Sequence, residues 1–501
     1  MAPLPHALPP SLRLPLELQD VICRDTGLGR KDLARLALTC RAWYIAANTI
    51  LWENIRGLGT LLALMPEGTW NCMEITTPEG TLYDDPPLTI EHWTPVLRLS
   101  LLVKRLHLND VTRTIQRRVM QYPPPTTLFP SLRSLTIDMR KASNELGPLN
   151  GLAAAHLIFL RAIIPQTLTK LILFDAPILF DILPLFSRLE TLVTEETHAA
   201  SLIPDDGSQH GKALTSIVQG ISCCEHLSTV GLKLPFGRHA ELMEALARLP
   251  ALEHLHVWFR HTSRGQWLGR RPAYPDDAFP ALTFLELKNV SYLDVAILLK
   301  SREKRGLRGI DVDSRDRETP ESLAHLTARI KRYCDPVTLE IIRLRRSKSS
   351  VHWPISFALI APLTAFRGLA HVSLSMFCGV QITEEEWELI GKSWPRLQSL
   401  SMRPRHNIQP ACSLATLVTI ARHCPALQKL YLPFNTAVLP EIQALDAAEI
   451  RRTESGVATS SQDGVPSRSA LSVTCAINTV GKVKLTVYSD SVVIVGYTLY
   501  D

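Results

Sequence analysis

PALEHLHV at residues 250–257, PALTFLEL at 280–287 and PALQKLYL at 425–432 share one frame, a proline followed by L-x-x-L-x-L. Apolar residues at alternate positions belong to an extended strand with one buried face, because successive side chains of a strand point to opposite sides. The frame returns in VKRLHL, PSLRSLTI, QTLTKLIL, HLSTVGL, GLRGIDV, TLEIIRL, GLAHVSL and PRLQSLSM. Its first apolar positions from Leu227 onward are 227, 252, 282, 307, 339, 369, 397 and 427, seven intervals over 200 residues with a mean near 29. Upstream they fall irregularly, at 103, 132, 168 and 189, so the early turns carry insertions. One such strand cannot bury its apolar face alone, and a stack of them can.

The intervening segments read as helices. HAELMEALARLP, SLAHLTARIKRYC, TEEEWELIGKSWP and SLATLVTIARHCP space apolar residues by three and four, and Thr383 with Glu386 forms a capping box. A strand and a helix recurring at this period are the signature of leucine-rich repeats. The expected fold class is therefore α/β, a leucine-rich-repeat solenoid over 101–443 with a curved, mainly parallel sheet and helices on its convex side. PDDGSQHGK, HTSRGQWLGRRPAYPDD and RRTESGVATSSQDGVPSRS are polar and aperiodic and read as loops. The last opens a disordered linker over 451–470. The β-rich segment 471–501 fits no repeat; it is either a terminal cap or the product of an atypical gene model.

Composition agrees with a globular chain. Of 501 residues 46% are hydrophobic and 20% charged, and the net charge of +6 is spread too thinly to argue for nucleic acid. The opening residues lack the basic start and unbroken apolar core of a signal peptide. The most membrane-like run, TKLILFDAPILFDILPLF, is interrupted by Asp175, Pro177, Asp181 and Pro184. Ten cysteines show no CxxC pair and no zinc spacing, which suits reduced thiols in the cytoplasm or nucleus.

Ahead of the repeats, periodicity predicts three short helices. Leu14, Leu18, Val21 and Ile22 share one helical face after Pro15. Past RDTGLGR, Asp32 is the expected N-cap of a second helix with Leu33, Leu36 and Ala37, and a third holds Cys40, Trp43, Ala47 and Ile50. So small a unit needs a partner surface or a neighbouring domain.

LPLELQDVI, then DLARLALTCRAW, then LW at 51 and 52 together resemble the F-box family. The resemblance covers 12–55, and the stretch YDDPPLTIEHWTPVLRLSLLVKRLHL is similar to the segment after the F-box in many fungal members, here a connecting helical segment over 56–100. The resemblance implies docking on a Skp-family adaptor that leads to a cullin, through Leu14, Pro15, Leu18, Ile22, Leu33, Leu36, Leu38, Cys40 and Trp43. A thiol beside Arg41 could be activated, but buried packing is the commoner fate of cysteine.

Catalytic patterns are missing: the sequence holds no Gly-rich phosphate loop, no GxSxG and no HExxH, and no cofactor is implied. His254 and His256 could offer two metal ligands from one strand face, with no third evident. Residues between the repeat leucines project from the concave face, and His256, Trp258, Lys288, Arg343, Arg345 and Tyr431 are the candidate contacts to a target protein. The expected function is a non-enzymatic substrate receptor of a Skp/cullin/F-box ubiquitin ligase. The alternatives are a leucine-rich scaffold whose first helices only cap the solenoid, and an RNA-binding or metal-dependent enzyme on the same array.

Overall fold

The structure is a computed structural model and describes residues 14–25, 27–66, 69, 73–77, 80–84, 87–109, 113–138, 159–161, 163–174, 182–195, 208–234, 240–259, 274–275, 277–314, 318–346, 353–375, 379–402, 412–432, 451–453, 470–477, 481–488 and 491–498. The chain divides into two compact units, Met1–Leu227 and Ser228–Asp501.

The first unit begins with helices α1 (Leu16–Cys23), α2 (Arg30–Ala37) and α3 (Arg41–Glu53). Their core is small: Cys23, Leu33, Ala46 and Ala47 are buried, with Leu28, Leu36, Ala37, Trp43, Ile50 and Leu51 packed around them. The alanines let α3 lie close to its neighbours, since they add little bulk to the interface. Gly29, not Asp32, occupies the N-cap of α2. Asp32 instead reaches back from the first turn, its Oδ2 accepting from the Gly29 N–H at 3.1 Å. It thereby satisfies one of the donors that a helix start leaves open.

Helix α3 runs without a break into strand β1 (Asn54–Arg56). The antiparallel pair β2 (Met73–Thr77) and β3 (Gly80–Asp84) comes next, so the connecting segment is not wholly helical, before the helix Ile90–Ser100. Strands β4 (Arg105–Leu108), β5 (Ser134–Asp138), β6 (Lys170–Phe174) and β7 (Thr191–Glu195) then extend β1 in one parallel sheet. The helix Ser208–Ser222 takes in the end of the expected loop 204–212.

In the second unit β8 (Thr229–Lys233), β9 (His254–Trp258), β10 (Phe284–Lys288), β11 (Gly309–Ser314) and β12 (Ile341–Arg346) form a parallel sheet. A short parallel pair outside it joins β13 (Ile355–Ser356) to β15 (Val380–Gln381), while β14 (His371–Ser375), β16 (Ser399–Ser401) and β17 (Lys429–Leu432) continue the main sheet. The helices Ala240–Ala247, Pro320–Tyr333, Glu384–Ser393 and Leu414–His423 lie where periodicity places them. Thr383 and Glu386 exchange both bonds of the expected capping box, at 3.3 and 2.8 Å.

Every counted apolar residue precedes its strand by two positions, from Val103 before β4 to Leu427 before β17. All twelve are buried. The first N–H of β9, β10, β12, β14, β16 and β17 reaches back one turn of the stack: His254 to Ser228, Phe284 to Glu253, Ile341 to Arg308, His371 to Glu340, Ser399 to Ala370 and Lys429 to Gln398, all at 2.9–3.0 Å. This ladder fixes the register, so the leucines of neighbouring turns stack into one core and the alternate residues line one outer face.

The C-terminal segment is β-rich as expected. Strand β18 (Arg451–Thr453) lies inside the stretch assigned to the linker, of which 454–469 fall outside the described residues, as do 261–273 of the second loop. Strands β19 (Ala470–Ile477), β20 (Gly481–Tyr488) and β21 (Ser491–Thr498) form an antiparallel meander, and β21 pairs antiparallel with β17.

Candidate functional site: an exposed helical face and a polar strand face

The bundle turns much of its apolar surface outward. Leu14, Leu18, Val21 and Ile22, the helical face expected to be apolar, are all exposed, as are Leu16, Tyr44 and Ile45. Leu38, at the end of α2, is 85% exposed. Inside α1 the buried residues are Gln19 and Cys23. Gln19 Nε2 donates to the Leu14 carbonyl at 2.8 Å, which holds the entry to the helix. Isolated exposed leucines are ordinary on a protein surface, and here eight large apolar side chains are exposed on one small bundle.

The residues expected to face an adaptor therefore separate. Leu14, Pro15, Leu18, Ile22, Leu38 and Cys40 are exposed. Leu33 is not, being 5% exposed in the centre of the core, so it supports the bundle from within and corrects the outward role given to it. Leu36 and Trp43 are half-buried against the same core. Cys40 is the N-cap of α3, and the backbone N–H of Trp43, ahead of that of Ala42, holds its thiol below the ordinary value. By contrast burial pushes the thiols of Cys224, Cys334 and Cys412 up to about 12, as expected of packed, unreactive cysteine.

The outer face of the second unit is polar and ordered by register. His256, Glu286, Asp311, Arg343, Ser373, Ser401 and Tyr431 form one row across seven strands, and Trp258, Lys288, Asp313, Arg345 and Ser375 the next. Glu286 accepts from His256 Nδ1 at 2.9 Å and pairs with Lys288 Nζ at 2.8 Å. The hydrogen bond from His256, aided by Lys288, lowers the Glu286 carboxyl to about 2. Lys233 and Lys288 stand over the Trp258 ring, 4.4 and 5.4 Å from its centroid. Asp311, 3% exposed, takes Arg345 at 2.7 Å and Arg343 at 3.5 Å.

All six residues expected to contact a target thus lie on one face, but Lys288 is engaged by Glu286 and both arginines share Asp311. Sequence reasoning places Glu286 and Asp311 on the exposed face without showing that they tie the cations down, because the pairing joins Asp311 to arginines more than 30 positions away. The serines of β14 and β16 on the same face carry no sequence signal that would single them out. His254 stacks on Phe284 with centroids 6.4 Å apart, and no group that could hold a metal ion occurs among the described residues. Among the described residues no helix is long and apolar enough to cross a membrane.

Comparison with curated proteins finds no match. Solved structures are similar at low identity, two of them as follows. A chain of the yeast Rad7 and Elc1 complex is 14% identical, with 82% of this chain and 86% of that one covered and a TM-score of 0.39. An internalin from Listeria monocytogenes is 11% identical, with 66% and 68% covered and a TM-score of 0.26. The F-box-like family model matches residues 12–56, so the bundle with its exposed leucines, through to the end of β1, is an F-box-like domain.

Proposed function

We propose that this protein is a substrate-recognition subunit of a Skp/cullin/F-box ubiquitin ligase, acting in the cytoplasm or nucleus. The F-box-like bundle docks on a Skp-family adaptor, the adaptor links it to a cullin, and the repeat array holds the target protein. The observation that carries this reading is the exposed apolar set Leu14, Leu18, Val21, Ile22 and Leu38 on three helices whose described core is the cluster Cys23, Leu33, Ala46 and Ala47. A unit of that size gains stability when a partner covers such a surface. The receptor itself is non-enzymatic: it lends proximity, bringing a target lysine to a ubiquitin thioester carried by another subunit.

The alternative, a scaffold in which the bundle only caps the array, has one observation in its favour. Helix α3 passes directly into β1, and Glu53 at its end takes Arg24 of α1 at 3.1 Å and Lys104 at 3.8 Å. The two readings part on adaptor binding. The full chain should co-purify with a Skp adaptor, and Leu14→Ala with Leu18→Ala should lose it while the circular dichroism spectrum stays unchanged. A well-folded chain that never captures the adaptor overturns the ligase reading.

A further inference from the structure

The turns that lead into the strands of the second unit lie along one edge of its sheet, and exposed cations collect there. Lys300, Arg302 and Lys304 stand between the helix Tyr292–Leu298 and β11, and Lys331 with Arg332 close the helix Pro320–Tyr333 ahead of β12. Arg367 precedes β14, Arg396 precedes β16 and Arg422 precedes β17. All eight are exposed.

Backbone contacts make these turns neighbours. The Arg305 N–H donates to the Tyr333 carbonyl at 2.8 Å and the Asp335 N–H to the Arg305 carbonyl at 2.9 Å, so the turn into β11 lies against the end of the helix Pro320–Tyr333. A Cβ on Gly368 would meet the Val337 carbonyl oxygen at 2.9 Å, which seats the turn of Arg367 on the turn into β12. The N–H of Gln398 donates to the Ala370 carbonyl at 2.7 Å and that of Gln428 to the Gln398 carbonyl at 2.8 Å, carrying the stack to β17. Neighbouring turns are about 5 Å apart at the strands and about 8–10 Å apart at the helices, so the row spans roughly 20–40 Å.

The carboxylates along this edge are Glu303, Asp335, Glu340 and Glu388. Two are already taken: Glu340 by Arg308 at 3.0 Å, and Glu388 by Lys392 at 2.6 Å, with His423 and Arg422 in its field. The eight cations of the row then face Glu303 and Asp335, both at its β11–β12 end. Residues 366–370, 394–398 and 422–428 contain no Asp or Glu. Lys331, Arg332 and Arg422 also meet the negative ends of their own helices, an effect confined to the last turn that does not reach Lys304, Arg367 or Arg396. Those three form no ion pair among the described residues. On the turns into β9 and β10 the exposed Glu253 and Asp277 end the row.

We propose that this edge binds the phosphate backbone of a nucleic acid without reading its sequence. A row of cations that steps along the stack suits a linear polyanion, whereas an anionic membrane suits a broad basic face with apolar side chains to insert. Arginine predominates in the row, and its planar fork pairs bidentately with phosphate. Tyr333, Phe366 and Trp394, the aromatic residues of these turns, are buried and cannot stack on a base, so the contact is to the backbone. In the sequence these cations are dispersed over residues 300–422, and stacking of the turns brings them onto one edge.

The test uses the full chain, a short fluorescent single-stranded RNA and a short DNA duplex, with polyglutamate and phosphatidylserine-containing vesicles beside them. Some five phosphate contacts give a slope of log Kd on log salt of about 3.5–4.5, so nucleic-acid affinity should fall about 100- to 500-fold between about 50 and 200 mM salt. Arg367→Gln with Arg396→Gln should lower that slope by about 1.5–2. Lys304→Gln, in a different turn, should lower it by about 0.7–0.9 and serves if the arginine pair fails to fold. Lys31→Gln with Arg35→Gln removes the same charge from α2 and should leave the slope unchanged. Absence of nucleic-acid binding at the lowest salt overturns the proposal, as does a slope that all three variants share with the wild type. It is equally overturned if the α2 variant lowers the slope as much as the arginine pair, or if polyglutamate or vesicles bind as tightly as the nucleic acids. None of these outcomes depends on adaptor capture.

Discussion

The helical bundle and the repeat array are built from the same leucine-rich material and use it in opposite ways. In the array every counted repeat leucine is turned inward, and the outward row from His256 to Tyr431 is polar. In the bundle Leu14, Leu18, Val21, Ile22 and Leu38 are turned outward, and the core is made largely of small side chains. The array buries its apolar surface within the chain because each turn offers a face to the next. In the three short helices that stacking is lacking, and the apolar residues named are exposed. The difference underlies the proposed roles: the array buries its own leucines, while the bundle leaves several exposed.

The comparison breaks most severely if a central repeat leucine can be removed cheaply. Leu285, wholly buried in β10, should cost about 2–5 kcal/mol when replaced by alanine, the range for a leucine cavity in a packed core. A denaturant melt followed by circular dichroism measures it, and a loss below about 1 kcal/mol would mean that the array does not pack as a single core. Trp43→Ala should cost less, about 2 kcal/mol, because Trp43 is only half-buried. It should abolish adaptor capture and spare the melt of the array. If the array melts earlier as well, the bundle is a structural cap and the contrast between the regions narrows.

Smaller effects sharpen the boundary of the array. The meander touches it through the pairs Tyr431↔Val493 and Leu432↔Val492. Ending the chain at Gln443 should remove about 1–2 kcal/mol and lower Tm by about 4 °C, since so short a ladder contributes few net hydrogen bonds. A drop of about 10 °C or more would make the meander a true cap on the last turn. The smallest effect is acidic. Glu286 is lowered from 4.5 to about 2 by His256 and Lys288, so its contribution to stability is present above about pH 4.5 and is lost as pH falls toward 2. Glu286→Gln should flatten that part of the stability–pH curve, and an unchanged curve would show the trio to be a loose surface cluster.

Much of the array is legible in the sequence because the signal is local. Leucines at alternate positions specify a strand, spacing by three and four specifies a helix, and recurrence near 29 residues specifies stacking, so Leu227 through Leu427 mark their strands at a constant offset. The F-box resemblance is likewise written in a short stretch, LPLELQDVI to LW. Spacing does not say which apolar residues of the bundle face out: Leu33 and Leu38 look alike in sequence, and one is in the core while the other is 85% exposed. That choice comes from how three helices pack, and Ala46 and Ala47 fill the space that a larger residue would have claimed. Nor does the sequence show that Asp311 restrains Arg343 and Arg345, or that Ser373, Ser401 and Tyr431 come level with Arg343 in one row. Short-range periodicity is enough to set the strands, the helices and the side of each strand that is buried. Which outward residues meet depends on the register of parallel strands about 30 residues apart, and that register exists only once the turns have stacked.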